Sequence, residues 1–165
     1  MKKDWEIHHL GFIVSDIDRA IEYYKSLGIA TVGPEMPLVQ SPDGLKLKVR
    51  FAQIGSIVLE FFQPVEGESM QLGFLRKRGE GIQHMAFVVA DIDAEVDDLV
   101  SKGIKLIFRA DMSTGIRIAY FDTSQIGDVL IELVQQVEKD ALAKFLKLTE
   151  KNRCWLTIND TGRER

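Results

Sequence analysis

HLGFIVSDIDRAIEYYKSLGI, residues 9–29, decides the fold because it returns as HMAFVVADIDAEVDDLVSKGI at 84–104. The two stretches align without a gap. His9 meets His84, Phe12 meets Phe87, Asp16-Ile17-Asp18 meets Asp91-Ile92-Asp93, and Gly28 meets Gly103. A little under half of the positions are identical. A second match lies downstream: VLEFFQ (58–63) against LIELVQ (130–135), with Glu60 opposite Glu132. A unit of roughly 70–75 residues is too long for a solenoid repeat and has the size of a duplicated βαβββ module.

Each copy reads the same way. HLGFIV is short, apolar and rich in β-formers, which predicts a strand. Ser15 or Asp16 then offers a helix cap. Ile17, Ala20, Ile21 and Tyr24 follow at helical spacing, and Gly28 closes the helix. In the second copy Asp91 precedes Ile92, Val96, Leu99 and Val100, and Gly103 ends the run. Shorter alternating segments come next: 45–55 and 56–63 in the first copy, and 104–110, 116–122 and 128–135 in the second. The predicted organisation is a first module over 6–66, a linker over 67–81, a second module over 82–136, and a helix and tail over 137–165. An amphipathic helix is expected at 138–151, burying Ala141, Leu142, Phe145 and Leu148.

Composition narrows the function. The 165 residues carry a net charge of −4, against the basic face that non-specific nucleic-acid binding needs. No apolar run approaches the roughly 20 residues of a membrane helix, and MKKDWEIHH lacks the apolar core of a secretory signal. Cys154 is the only cysteine, so no intrachain disulfide forms and a cytoplasmic protein is expected.

Side chains alternate across a strand. His9, Gly11 and Ile13 therefore share one face, and His84, Ala86 and Val88 share the matching face. The same alternation sends His8 to the opposite face from His9, and its repeat counterpart is Gln83. The small residues Gly11 and Ala86 leave room beside each histidine for something other than protein. Glu60 and Glu132 interrupt strongly apolar strands, where an unpaired carboxylate is expensive. Each copy thus supplies one histidine and one glutamate. Two imidazoles and two carboxylates brought together by a pseudo-twofold axis suit a divalent Zn, Ni, Co, Mn or Fe ion. The recurrence of all four at matching repeat positions favours a metal site over isolated polar core residues.

With this pattern, residues 6–136 resemble the vicinal oxygen chelate superfamily, which includes glyoxalase I, methylmalonyl-CoA epimerase, extradiol dioxygenases and bleomycin-resistance proteins. The resemblance implies an α+β fold in which two βαβββ modules form a curved eight-stranded mixed sheet around a metal site. It carries the ligands over onto His9, Glu60, His84 and Glu132. MQLGFLRKRGEGIQHMAF (70–87) is similar to the epimerase linker, which draws the chain towards that branch. Gln83 stands where epimerases often have the first of two histidines.

The resemblance implies an enzyme that abstracts a proton next to a carbonyl through a chelated enolate. Glu132 is the first candidate base and Glu60 the second. Arg117, Arg50 and Lys48 are candidates for holding an anionic substrate group, and Lys77 and Arg78 for meeting coenzyme A or glutathione. The expected partner is a small molecule, an acyl-CoA or a thiol adduct, and the expected state is a homodimer. The alternatives are a glyoxalase I-type lactoylglutathione lyase and a non-catalytic binding protein.

Overall fold

A computed structural model describes residues 4–112, 115–125 and 127–137. The helix expected over 138–151 and Cys154 lie outside the described residues.

The first strand, β1 (Glu6–Ile13), ends where Asp16 takes an extended backbone and caps α1 (Ile17–Ser26), its side chain accepting from the Arg19 amide at 3.0 Å. Gly28 follows α1 in the left-handed region, φ 68°, which a side chain would strain. The chain continues through β2 (Thr31–Val32), β3 (Val39–Gln40), β4 (Lys46–Ile54) and β5 (Ile57–Glu66). A connecting helix, α2 (Met70–Arg78), is capped by Ser69. Then the pattern repeats: β6 (Gly81–Val88), α3 (Ile92–Ser101) capped by Asp91, β7 (Leu106–Asp111), β8 (Ile116–Phe121) and β9 (Leu130–Gln136).

All strands join one mixed sheet in the order β2-β4-β5-β1-β6-β9-β8-β7, with β3 paired to β4. The order is a palindrome about the central β1–β6 pair. That pair is antiparallel, while β1 runs parallel to β5 and β6 parallel to β9. The sheet therefore passes from one repeat into the other within a single chain. The described sheet has nine strands rather than the expected eight, because the proline-flanked loop before β4 contributes the two-residue β3.

Helices α1 and α3 cover one face. Ile17 and Ile21 of α1 pack with Ala52, Leu59 and Phe61; Ile92 and Val96 of α3 pack with Ala119, Phe121 and Leu133. Phe61 and Phe121 are fully buried, and truncating either to alanine would cost about 3–5 kcal/mol. Repeat-related glutamines tie the helices to the sheet: Gln63 Oε1 accepts from the Ile17 amide and Gln135 Oε1 from the Ile92 amide. The other face gathers Ile13, Val49, Phe51, Val58, Phe62, Ala86 and Val134, with Phe74 and Leu75 of α2 packed against it.

The β1–β6 pairing departs from strict alternation twice. Ile7 faces Phe87 and His9 faces Ala86, so His8 is an extra residue in β1. Gly11 faces His84 and Phe12 faces Ile82, so Gln83 is an extra residue in β6. Each is a β-bulge, and a bulge re-aims the side chains beside it. The expectation that His8 and His9 point to opposite faces fails for this reason: their rings meet edge to face at 5.0 Å.

Candidate metal centre

Sheet register assembles the site from two adjacent rows. In one, Glu60 on β5, Gly11 on β1 and His84 on β6 lie side by side; in the next, His9 on β1, Ala86 on β6 and Glu132 on β9 do so. A small residue therefore separates the histidine from the glutamate in each row. The space beside Gly11 is taken by His84 itself. A Cβ on Gly11 would lie 1.9 Å from His84 Cε1, so the imidazole packs flat over the glycine.

The four functional groups converge. His9 Nε2 lies 2.8 Å from Glu60 Oε2 and 3.1 Å from Glu132 Oε2. His84 Nε2 lies 3.3 Å from Glu132 Oε2 and 3.6 Å from Glu60 Oε2. One ligand atom from each residue falls within 4.8 Å of all the others. His9, His84 and Glu132 are buried, and Glu60 is slightly more open, its side chain 13% exposed against 4% for Glu132.

Electrostatics follow from that crowding. Burial alone would lower the His9 pKa, but Glu60 and Glu132 outweigh it and hold the imidazole up to about 10. His84 is likewise lowered by burial and raised overall by Glu132 and Glu60. Burial pushes both carboxyls up; the imidazoles reverse this and hold Glu60 below its ordinary value and Glu132 well below the usual carboxylate range. Without a metal, the two carboxylates favour the protonated form of both imidazoles, and the imidazoles favour the ionised form of both carboxyls.

The residues fit a divalent ion. Glu132 Oε2 is buried and makes no aligned hydrogen bond despite two imidazole nitrogens within 3.3 Å. Such an orphaned acceptor is expensive. A cation among two Nε2 and two carboxylate oxygens would satisfy all four groups at once.

Three neighbours escaped the sequence reading of the site. His8 Nδ1 lies 2.7 Å from His9 Nδ1. Burial, then the His9 charge, lower the His8 pKa to about 4, so this ring is neutral. Gln83 Oε1 lies 3.4 Å from His84 Nδ1. Tyr120 on β8 stands edge-on to His84 at 5.1 Å and is the cross-strand neighbour of Glu132. Burial, then the charges of Glu132 and Glu60, hold its pKa well above the ordinary value, so it keeps its proton. Tyr120 alternates with Ile116 and Ile118 on the site face, a signal present in IRIAYF.

The basic candidates lie elsewhere. Strand alternation turns Lys48, Arg50 and Arg117 to the helix face, away from the cluster. Lys48 Nζ lies 3.6 Å from Asp18 of α1. Arg50 shares the face of Ala52, with its Nε buried and unbonded. Arg117 binds Asp93 at 2.9 Å and Asp111 at 3.1 Å. The geometry therefore does not bring these three to the four-residue cluster. Lys77 and Arg78 are exposed on α2, and Arg78 binds Asp128. Among the described residues no helix is long and apolar enough to cross a membrane.

Comparison with known proteins agrees with this architecture. The Bacillus subtilis protein YqjC, itself uncharacterized, is 30% identical over 132 residues, which cover 78% of this chain and 91% of YqjC. Mitochondrial methylmalonyl-CoA epimerase of Bos taurus is 29% identical over 78% of this chain and 73% of its own length. The crystal structure of methylmalonyl-CoA epimerase from Mycobacterium tuberculosis superposes with a TM-score of 0.68 at 29% identity, covering 87% of this chain and 97% of that one. Residues 8–121, from His8 within β1 to the end of β8, match the family model of the Glyoxalase/Bleomycin resistance protein/Dioxygenase superfamily, and the chain belongs to that superfamily.

Proposed function

We propose that this chain is a metal-dependent enzyme that removes and returns a proton beside the carbonyl of an acyl thioester, as a methylmalonyl-CoA epimerase does. The observation that carries this reading is the convergence of two buried imidazoles, the buried Glu132 carboxylate and the half-buried Glu60 carboxylate within 4.8 Å. The similarity to epimerases over most of both chains supports the choice of reaction.

His9 and His84 through Nε2, with Glu60 and Glu132 through Oε2, would hold the ion. When bound, a divalent ion supplies electrophilic stabilisation of the negative charge that develops on a substrate carbonyl oxygen. The chain's own residues handle the proton. Glu60 on β5 and Glu132 on β9 flank the two histidine strands from opposite sides. Epimerisation needs this, because the proton leaves one face of the carbon and returns to the other. The greater exposure of Glu60 favours it as the leading base, ahead of Glu132, with Glu132 serving the opposite face. Tyr120 keeps its hydroxyl proton and steadies Glu132. The aromatic and aliphatic walls, Phe51, Phe62 and Val134, keep bulk water from competing for the proton.

The same reading takes the enzyme as a cytoplasmic homodimer, which sedimentation velocity checks. The activity test is deuterium incorporation at C2 of methylmalonyl-CoA in D2O by mass spectrometry, with metal-loaded protein. Incorporation is expected, reduced in Glu60→Gln. No exchange on the acyl-CoA, together with thioester formation from methylglyoxal and a thiol, would replace the epimerase reading with a glyoxalase-type lyase.

A further inference from the structure

We propose that His8 and Gln83 are a matched pair of positioning residues, each fixing one ligand histidine by accepting a hydrogen bond from its Nδ1–H. This rests on the metal-centre reading of the cluster and adds residues that reading does not use.

The geometry is the same in both repeats. Each bulge in the β1–β6 pair inserts the residue immediately before a ligand histidine, His8 before His9 and Gln83 before His84. In both, the inserted side chain meets the Nδ1 edge of that histidine, at 2.7 Å for His8 Nδ1 and 3.4 Å for Gln83 Oε1. In both, the Nε2 edge faces the two glutamates.

The second repeat fixes the direction of the bond. Gln83 Nε2 donates to the Met70 carbonyl at 3.1 Å, which leaves Oε1 towards His84. An amide oxygen only accepts, so His84 Nδ1 carries the hydrogen and Nε2 is left with its lone pair for a cation. The first repeat reaches the same end with a different side chain. His9 presents Nε2 to the carboxylates; with its Nδ1–H donated to His8 Nδ1 at 2.7 Å, a neutral His8 carries its hydrogen on Nε2, a buried atom with no hydrogen-bond partner among the described residues. A ligating histidine generally needs such a partner on its other nitrogen to fix its tautomer and ring orientation. The usual partner is a carboxylate or a backbone carbonyl. Among the described residues the Nδ1 partners are instead His8 and Gln83, placed there by the bulges.

The test begins with the unaltered protein. The chain has three histidines, all in this constellation, so long-range 1H–15N spectra of zinc-loaded protein resolve each ring. The expected result is zinc on Nε2 of His9 and His84, with hydrogen on their Nδ1, and hydrogen on Nε2 alone of His8. Hydrogen on His8 Nδ1, or His9 coordinated through Nδ1, would overturn the assignment. Two variants then separate positioning from packing. His8→Phe keeps a ring without an acceptor and should weaken zinc binding about 10–100-fold. His8→Asn returns an oxygen near the Nδ1 position and should recover most of that loss, read by competition against a chromophoric chelator. Equal weakening by both would assign His8 to packing, and no weakening by His8→Phe would remove its role. Absence of stoichiometric zinc binding by the unaltered protein would instead overturn the metal centre itself.

Discussion

The two halves of the candidate site repeat one histidine–glutamate arrangement in different surroundings. Each half gives one histidine and one glutamate at matching positions, His9 with Glu60 and His84 with Glu132. The surroundings differ. Across the sheet from Glu60 lies Phe51, whereas the equivalent neighbour of Glu132 is Tyr120. The acceptor behind the first histidine is His8 and behind the second Gln83. Gly11 lies beneath the His84 ring, whereas Ala86 separates His9 from Glu132. The difference teaches that the repeat places the four candidate ligands symmetrically while their neighbours make the halves unequal. The second half is enclosed, with a phenol as the cross-strand neighbour of its carboxylate; the first keeps a more open carboxylate with an apolar neighbour.

The largest expected effects come from the glutamates. Glu60→Gln should lower turnover by about 10²–10⁴-fold while keeping much of its metal, the scale of a lost general base. Glu132→Gln should lose metal first and activity as a consequence. Metal analysis beside steady-state kinetics distinguishes the two, and identical behaviour would break the inequality of the halves.

Next come the small residues. Gly11→Ala must displace the His84 imidazole; it should destabilise the fold by about 1–3 kcal/mol and abolish metal binding. Ala86→Gly should cost only about 0.5–1 kcal/mol and retain metal. Denaturant titration with and without metal reads both.

The pH dependence is a third comparison, between the metal-free and metal-loaded protein. His9 is raised from 6.5 to about 10, so its stabilising contribution is full below pH 6.5 and is lost as pH rises through about 10. Glu132 is lowered, so its contribution is present above its ordinary 4.5 and is lost as pH falls through its depressed pKa. Metal-free protein should therefore fall in Tm from neutral pH towards pH 10. The loaded protein should not show that fall, because its imidazoles are already deprotonated. At about pH 6, binding one ion should release about two protons, seen as a dependence of the calorimetric heat on buffer. Release near zero would mean that the imidazoles are neutral in the metal-free cluster.

Smaller again is Tyr120→Phe, which should cost about 0.5–1.5 kcal/mol and leave Glu132 freer. The smallest is Lys48→Ala. An exposed pair of this kind contributes little, and KM should stay within about twofold because Lys48 faces α1. A large rise in KM would return this residue to the substrate.

Much of this was legible in the sequence. The gapless return of HLGFIVSDID as HMAFVVADID carries the strand–cap–helix unit, since Asp16 and Asp91 cap as their position implies and Gly28 and Gly103 end the helices. The convergence of His9, Glu60, His84 and Glu132 was legible because each breaks an apolar strand at a matching position. What strict alternation could not give is the bulges. An extra residue in β1 or β6 depends on how the two strands pair, and nothing local in EIHHLG marks His8 as the inserted one. The placement of the basic residues away from the cluster was hidden for a related reason. Lys48, Arg50 and Arg117 alternate with apolar residues that pack on the site face, which turns all three charges towards the helices, and the ion pairs with Asp18 and Asp93 are long-range.

Isothermal titration of chelator-treated protein with zinc or cobalt is the most direct test of a single centre built from both repeats. One ion per chain is predicted for the unaltered protein, with binding lost in His84→Ala from one repeat and in Glu60→Ala from the other. No binding by the unaltered protein, or binding untouched by both substitutions, would contradict it.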